Sequence, residues 1–252
     1  MNNGFRQYCL TTVMLLAGLA AMAQLPVADG FESKKLSKFW DTSRFAKGAV
    51  VMQNKVVKSG HSAAMVTVKM GEKYEAGNDS SKESERAELM EAARLVSLEN
   101  NAYEYAFSMF IPADFPIVPT RLVIAQWKQY CGHGICEDDS PVLALRYVNG
   151  VLKITIQTGR HDTVVYQTRQ DIRNQWTDFR VQANFSRTDT GVVKAWINGA
   201  QVLNYKGKSC YSSERGYPAT SYFYFKMGLY RDKMAQPMTI YIDDYSKRQL
   251  YN

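Results

Sequence analysis

An all-β sandwich of two antiparallel sheets is the fold class that this sequence predicts, and three features predict it. Short runs alternate apolar and polar residues, as half-buried strands do. Gly, Asn, Asp and Pro clusters punctuate those runs. No long segment has helical periodicity, which removes the alternating helices of a parallel sheet. Antiparallel strands at this density suit a jelly roll.

The elements follow in chain order. MNNGFRQYCLTTVMLLAGLAAMAQ opens with Arg6, runs apolar from Leu10 to Ala21 and ends in the small-x-small triplet Ala21-Met22-Ala23. That is the pattern of a signal peptide over residues 1–23, too short to span a bilayer. Cys9 precedes the apolar run, so a lipid-attachment pattern is missing. The expectation is a secreted or periplasmic protein without a membrane anchor, cut near Ala23. Residues 24–252 are expected to form one domain with a substantial core.

Within it, AAMVTVKM (63–70), ERAELMEA (85–92), AYEYAFSMFI (102–111) and LVIAQWKQ (122–129) read as strands. Residues 70–85, MGEKYEAGNDSSKESE, are polar and read as a loop at a groove rim. PADFPIVPT, 112–120, carries three prolines and is excluded from any central strand. LALRYVNGVLKITIQ and VVKAWINGAQVLNY each place Asn-Gly between alternating runs, the turn chemistry of two-residue hairpins. TDFRVQANFS (177–186), SYFYFKMGLYRD and MTIYIDDYS (238–246) complete the strands.

Cys131, Cys136 and Cys210 lie beyond the leader, where an exported chain favours a disulfide. CGHGIC reads as a loop pinched by Cys131 and Cys136, with Cys210 as the alternative partner of either. A zinc site is disfavoured because Cys131, His133 and Cys136 lack a fourth ligand at usual spacing. The formal charge is +7, a solvated surface or a field that steers a polyanion. Loop acids Asp138 with Asp139, and Asp243 with Asp244, are oxygen ligands of the type a structural calcium takes, but no motif supports a site, and no cofactor is expected. There is no nucleic-acid motif, phosphate loop or nucleophile elbow.

Three strands carry chemistry. Alternation places Arg86, Glu88 and Met90 on one face of SERAELMEA, and Gln126 with Lys128 on one face of LVIAQWKQ. In YFYFKMGLYRD it sets Tyr222, Tyr224, Lys226, Gly228 and Tyr230 opposite Phe223, Phe225, Met227 and Leu229. Taken singly, each polar group has an ordinary explanation as an ion pair or a solvated sheet face. Together they supply cationic and amide donors for a carboxylate and a phenol able to move a proton. Those are the parts needed for β-elimination on a uronic-acid polymer.

RAEL (86–89), QWK (126–128) and YFKMGLY (224–230) resemble the strand motifs of jelly-roll polysaccharide lyases, the superfamily of glucuronan lyases, heparin lyase I and alginate lyases. WTDF at 176–179 and the late IYIDDY are also similar to these folds. The resemblance implies a concanavalin-like jelly roll with a concave substrate groove, acting on an acidic polysaccharide as a monomer. It implies that Arg86 and Gln126 hold and neutralise the uronate, that Tyr230 moves the proton, and that Lys226 supports the site. Glu88, Tyr224, Tyr222 and His133 join it in substrate binding, and Gly228 lets a sugar ring approach the backbone.

Lys128 departs from the pattern, which usually has His there. Lysine is a base only where burial and neighbouring cations drive off its proton. Three arrangements follow: Lys128 as base, Tyr230 as both base and acid beside Lys128 (preferred), or His133 taking the vacant role. A fourth is a chain that binds sugar without cleaving it. A carbohydrate-binding module on this fold is the rival function. A glycoside hydrolase is weaker because Glu85, Glu88 and Glu91 do not share a face, whereas that chemistry needs two carboxylates across one bond.

Overall fold

The computed structural model describes residues 26–72, 84–132, 136–137 and 140–251. The leader, most of the polar 70–85 loop, His133, Asp138 and Asp139 lie outside the described residues. In chain order the strands are β1 (Val27–Asp29), β2 (Trp40–Asp41), β3 (Val50–Gln53), β4 (Ala63–Val68), β5 (Ser84–Glu91), β6 (Ser97–Leu98), β7 (Ala102–Phe110) and β8 (Leu122–Gln129). They continue as β9 (Leu143–Val148), β10 (Val151–Ile156), β11 (Thr163–Thr168), β12 (Trp176–Asn184), β13 (Val192–Ile197), β14 (Ala200–Lys206), β15 (Tyr222–Asp232) and β16 (Met238–Leu250).

They form two eight-stranded sheets. One has the order β14-β13-β12-β7-β16-β4-β3, with β1 on β16; the other runs β11-β10-β9-β8-β15-β5-β2, with β6 on β15. All these pairings are antiparallel. The fold is thus a jelly-roll sandwich, as the alternation and turns predict.

Both Asn-Gly turns behave as their chemistry requires. Asn149 and Gly150 have φ of 52° and 73°, and Asn198 and Gly199 have 49° and 80°. Two consecutive positive φ values match the right-handed twist of the flanking strands. Residues 112–120 hold no strand. β1, β2 and β6 are too short to display a period. β3 and β11 are edge strands in which no side chain is fully buried, although Val50, Met52, Val165 and Tyr166 pack against the core, so the period they show is weak.

The core is built from the predicted faces. Phe223, Phe225, Met227 and Leu229 are all fully buried. Phe225 meets Trp127 at 4.8 Å, Tyr105 at 5.2 Å and Phe107 at 5.6 Å between ring centroids, joining the two sheets. Burying one such ring contributes about 3 kcal/mol.

Two charged pairs are buried with these rings. Glu91 on β5 accepts hydrogen bonds from Lys247 Nζ (3.0 Å) and from the Tyr245 hydroxyl, both on β16. Burial raises the pKa of Glu91 and lowers that of Lys247, each opposed by the attraction of the pair. Glu85 accepts from Arg231 at 2.8 and 3.0 Å, while Arg231 also donates to the carbonyls of Gln236 and Met234. The disulfide is Cys131–Cys136, and Cys210 is a buried free thiol.

Candidate active site

A cleft of about 800 Å³ opens on the outer face of the sheet that contains β5, β8, β9 and β15. Register arranges its side chains in cross-strand rows. Arg86, Tyr230, Val123 and Arg146 form one row across β5, β15, β8 and β9. Met90, Lys226, Gln126 and Ala144 form a second row, separated from the first on β5 and β15 by the Glu88–Gly228 pair, at the bulge of the β15–β8 pairing. Tyr224 pairs with Lys128 beyond it, and Tyr222 follows at the far end. Opposed residues of an antiparallel pair share a face, so motifs about forty and a hundred residues apart in sequence meet here.

Tyr230 is clamped. The Arg86 and Arg121 guanidinium carbons lie 4.2 and 4.6 Å from its ring centroid, and Arg121 Nη1 donates to its hydroxyl at 3.1 Å. Arg121 is oriented in turn by Asp232, which accepts from its Nε at 2.8 Å and pairs with Nη2 at 2.7 Å. Burial alone would lower the Arg121 pKa; Tyr230 and Asp232 outweigh it and hold it above the usual value. Arg146 donates to Thr155 at 3.1 Å and pairs with Asp162 at 3.3 Å. Burial dominates there and lowers its pKa.

Beneath the second row, Gln126 Nε2 donates to Glu88 Oε1. Glu88 Oε2 lies 3.9 Å from both Arg86 Nη1 and Lys226 Nζ and accepts no hydrogen bond among the described residues. Glu88 is 2% exposed, as Gln126 is, but unlike Gln126 it does not line the cleft and sits under the floor, behind Arg86, Gln126 and Lys226. Its charge orients two cations and the Gln126 amide. An amide nitrogen has two donors, so one hydrogen remains after Glu88 takes the other.

Gly228 also needs a different explanation. Its φ is +139°, and a Cβ there would lie 2.3 Å from the Ala87 carbonyl oxygen. The glycine permits the close approach of β15 to β5 beside a bulge between Met227 and Tyr230 in the β15–β8 pairing. Room for a sugar is therefore not what demands glycine.

Arg86, Gln126, Lys128, Lys226, Tyr222, Tyr224 and Tyr230 all line the cleft. Sequence reasoning missed Arg44, Arg121, Tyr130 and Arg146, which line it too. Arg146 shares a strand face with Ala144 away from Leu145 and Tyr147, and that alternation was a usable signal. Arg121 follows the proline-rich connection, where a basic residue reads as surface. Tyr130 stacks on Tyr222 with centroids 4.4 Å apart. Burial, followed by contact with Tyr130, pushes the Tyr222 phenol up to about 12.

Asp243 accepts the backbone N–H groups of Lys58 and Asp244, and Asp244 accepts the Ser59 hydroxyl. These acids thus serve the turn they adjoin. Among the described residues no group of three or more His, Cys, Asp or Glu gathers as metal ligands.

The fold and cleft define a jelly roll whose carbohydrate-sized groove is dominated by cations. The chain belongs to the polysaccharide lyase family, whose family model matches residues 31–246. Among solved structures it is similar to an endo-β-1,4-glucuronan lyase from the fungus Trichoderma reesei, with 18% identity, TM-score 0.65, and 84% of this chain and 90% of that one covered. It is also similar to an alginate lyase of polysaccharide lyase family 7, with 14% identity, TM-score 0.57, and 82% and 84% covered. A glycoside hydrolase family 131 catalytic domain from Coprinopsis cinerea shares the fold, with 15% identity, TM-score 0.56, and 84% and 83% covered. No curated protein sequence matches the chain significantly.

Proposed function

We propose that this protein is an exported lyase that cleaves a uronate-containing acidic polysaccharide, of glucuronan, heparan or alginate type, by β-elimination. The observation that carries the reading is the phenol of Tyr230, held in a cation-lined cleft by Arg121 and Arg86, four residues along β15 from Lys226, which pairs with Gln126. In the reaction a base removes the proton on the carbon next to the carboxylate. The freed electron pair forms the 4,5 double bond, the bond to the 4-oxygen breaks, and that oxygen takes a proton.

Arg86, Lys226 and the second Gln126 amide hydrogen neutralise the carboxylate, which stabilises the enolate-like intermediate. Tyr230 acts as the phenolate, whose negative charge guanidinium donors stabilise; it takes the proton, is the neutral phenol in between, and returns a proton to the leaving oxygen. Lys128, one row further along, adds positive charge in the position where the family usually has His. The likeness to a glucuronan lyase and an alginate lyase supports the polyuronate class of substrate.

A hydrolase needs two carboxylates across one bond. Among the described residues, the acids lining this cleft are Asp41, which pairs with Arg44 at 3.1 Å, and Glu91, which is buried against Lys247. Neither is placed to face the other across a sugar.

The test is incubation with glucuronan, alginate, heparan sulfate and pectate, following ultraviolet absorbance of the new double bond and, separately, reducing ends. Unsaturated products from one polymer are expected, with Tyr230→Phe losing about 10²–10⁴ in rate, the usual contribution of general acid–base catalysis. Reducing ends without the absorbance mean hydrolysis, and binding with neither means a carbohydrate-binding protein. Full activity of Tyr230→Phe removes Tyr230 from the chemistry.

A further inference from the structure

The sheet facing away from the cleft carries a second concavity, of about 360 Å³. That volume is at the lower end of the roughly 300–1,000 Å³ typical of small-ligand sites. It exists because of one small residue: Ala106 on β7 stands between Arg180 on β12 and Ser246 on β16. Its methyl group leaves a gap in the outward-facing row.

Trp196 on β13 pairs with Arg180 and forms one wall, with the guanidinium carbon 3.9 Å from the indole centroid. The Arg180 side chain remains 42% exposed and has Glu104 at 3.7 Å. The opposite wall is polar. Asp178 pairs with Lys58 at 2.9 Å and accepts from the Ser108 hydroxyl at 2.7 Å, and Asp244 stands beside them. Gly199, with nothing within 4 Å of an added Cβ, leaves the rim open.

This combination fits a sugar more closely than it fits a bare anion. A pyranose has C–H faces that pack on an aromatic surface and hydroxyl edges that need both donors and acceptors. The Trp196–Arg180 surface supplies the first, and Lys58, Asp178, Ser108 and Asp244 supply the second. Arg180 adds a planar donor fork suited to a carboxylate. Glu104 is shared between Arg180 at 3.7 Å and Arg248 at 2.7 Å, so Lys58, Arg180 and Arg248 stand against Asp178, Glu104 and Asp244, and the field here is much weaker than in the cleft.

We infer that this concavity is a second, non-catalytic site for the acidic polysaccharide, taking a sugar ring against the stacked Arg180–Trp196 surface and its uronate on the Arg180 N–H edge. The choice of polymer rests on the lyase reading above; the site itself does not. Two sites on opposite sheets make binding of a long chain multivalent, so affinity for polymer exceeds that for short oligosaccharides. Locally balanced charges make the second site less sensitive to salt than the cleft.

The test is affinity electrophoresis through gels containing each polyuronate, using Tyr230→Phe to spare the matrix. It compares that protein with versions also carrying Trp196→Ala or Ala106→Gln, the second of which fills the floor without removing a contact. Thermal melting verifies that each variant is folded. The expected result is about fivefold or greater weakening of retention by either change, the loss of one aromatic anchor. That difference should persist near 1 M salt, where the Debye length is about 3 Å. Turnover of short oligosaccharides by Trp196→Ala alone should stay within about twofold of wild type.

Unchanged retention of both folded variants overturns the second site. If a polyuronate is cleaved and Tyr230→Phe is inactive while retention is unchanged, only this inference fails. If no polymer is cleaved but Trp196-dependent retention remains, the lyase reading fails and the site stands.

Discussion

Arg121→Ala is the most informative single change, because the structure sets both its size and its partner. Asp232 engages Nε and Nη2 of Arg121, leaving Nη1 to donate to Tyr230 at 3.1 Å. A hydrogen bond from a charged donor contributes about 1.5–3 kcal/mol. The Arg121 side chain is 41% exposed, so solvent screening reduces that to about 1–1.5 kcal/mol. The bond strengthens as Tyr230 gives its proton to the leaving oxygen and charge develops on the phenol oxygen, so Arg121→Ala lowers kcat about five- to tenfold, with KM nearly unchanged.

The assay is the initial rate of double-bond absorbance on the polymer that proves to be cleaved. Because Arg121 acts through Tyr230, adding Arg121→Ala to Tyr230→Phe should cost almost nothing more. Arg121→Lys, which keeps a charge but not the fork, should recover part of the rate. A kcat within about twofold of wild type, or an equal loss in the Tyr230→Phe background, refutes the positioning argument.

Three further outcomes follow from the packing. Gly228→Ala should destabilise the fold by about 3 kcal/mol in urea melts, from a φ of +139° and the clash with the Ala87 carbonyl, and wild-type stability would return Gly228 to a ligand role. Glu91→Gln or Lys247→Met alone should cost about 3–5 kcal/mol, because each strands a buried partner, while Glu91→Leu with Lys247→Met should recover most of the loss; equal losses in single and double variants would contradict this. Burial, reinforced by Glu99, pushes the Cys210 thiol up to about 12. Its contribution to stability is therefore complete below the unfolded value near 8.5 and is lost as pH rises through about 12. Cys210→Ala should flatten that alkaline decline, and a thiol reagent at pH 8 should label Cys210 only after unfolding.

The fold was legible to the extent that burial imposes a period. β15 shows this well: its four apolar residues alternate because they face a common core, and every one is buried. Short strands β1, β2 and β6 and edge strands β3 and β11 were not legible, since pairing partners define them and no buried stripe does. Three of the four proposed catalytic residues, Arg86, Gln126 and Tyr230, lie in two cross-strand rows on either side of the Glu88–Gly228 pair, and the fourth, Lys128, lies in the row beyond Gln126.

Sequence by itself determined the strand faces, the two Asn-Gly turns, and the grouping of Arg86 with Glu88, Gln126 with Lys128, and Tyr224 with Lys226 and Tyr230. These are local properties, set by the two-residue repeat of an extended chain and by the positive φ that Asn and Gly accept. Only the tertiary structure decided that Glu88 lies under the floor, that Gly228 answers to the Ala87 carbonyl, and that Arg121 clamps Tyr230 across 109 positions of chain. Those facts depend on register between strands and on how closely backbones approach. No periodicity within a strand records either quantity, because both belong to pairs of strands.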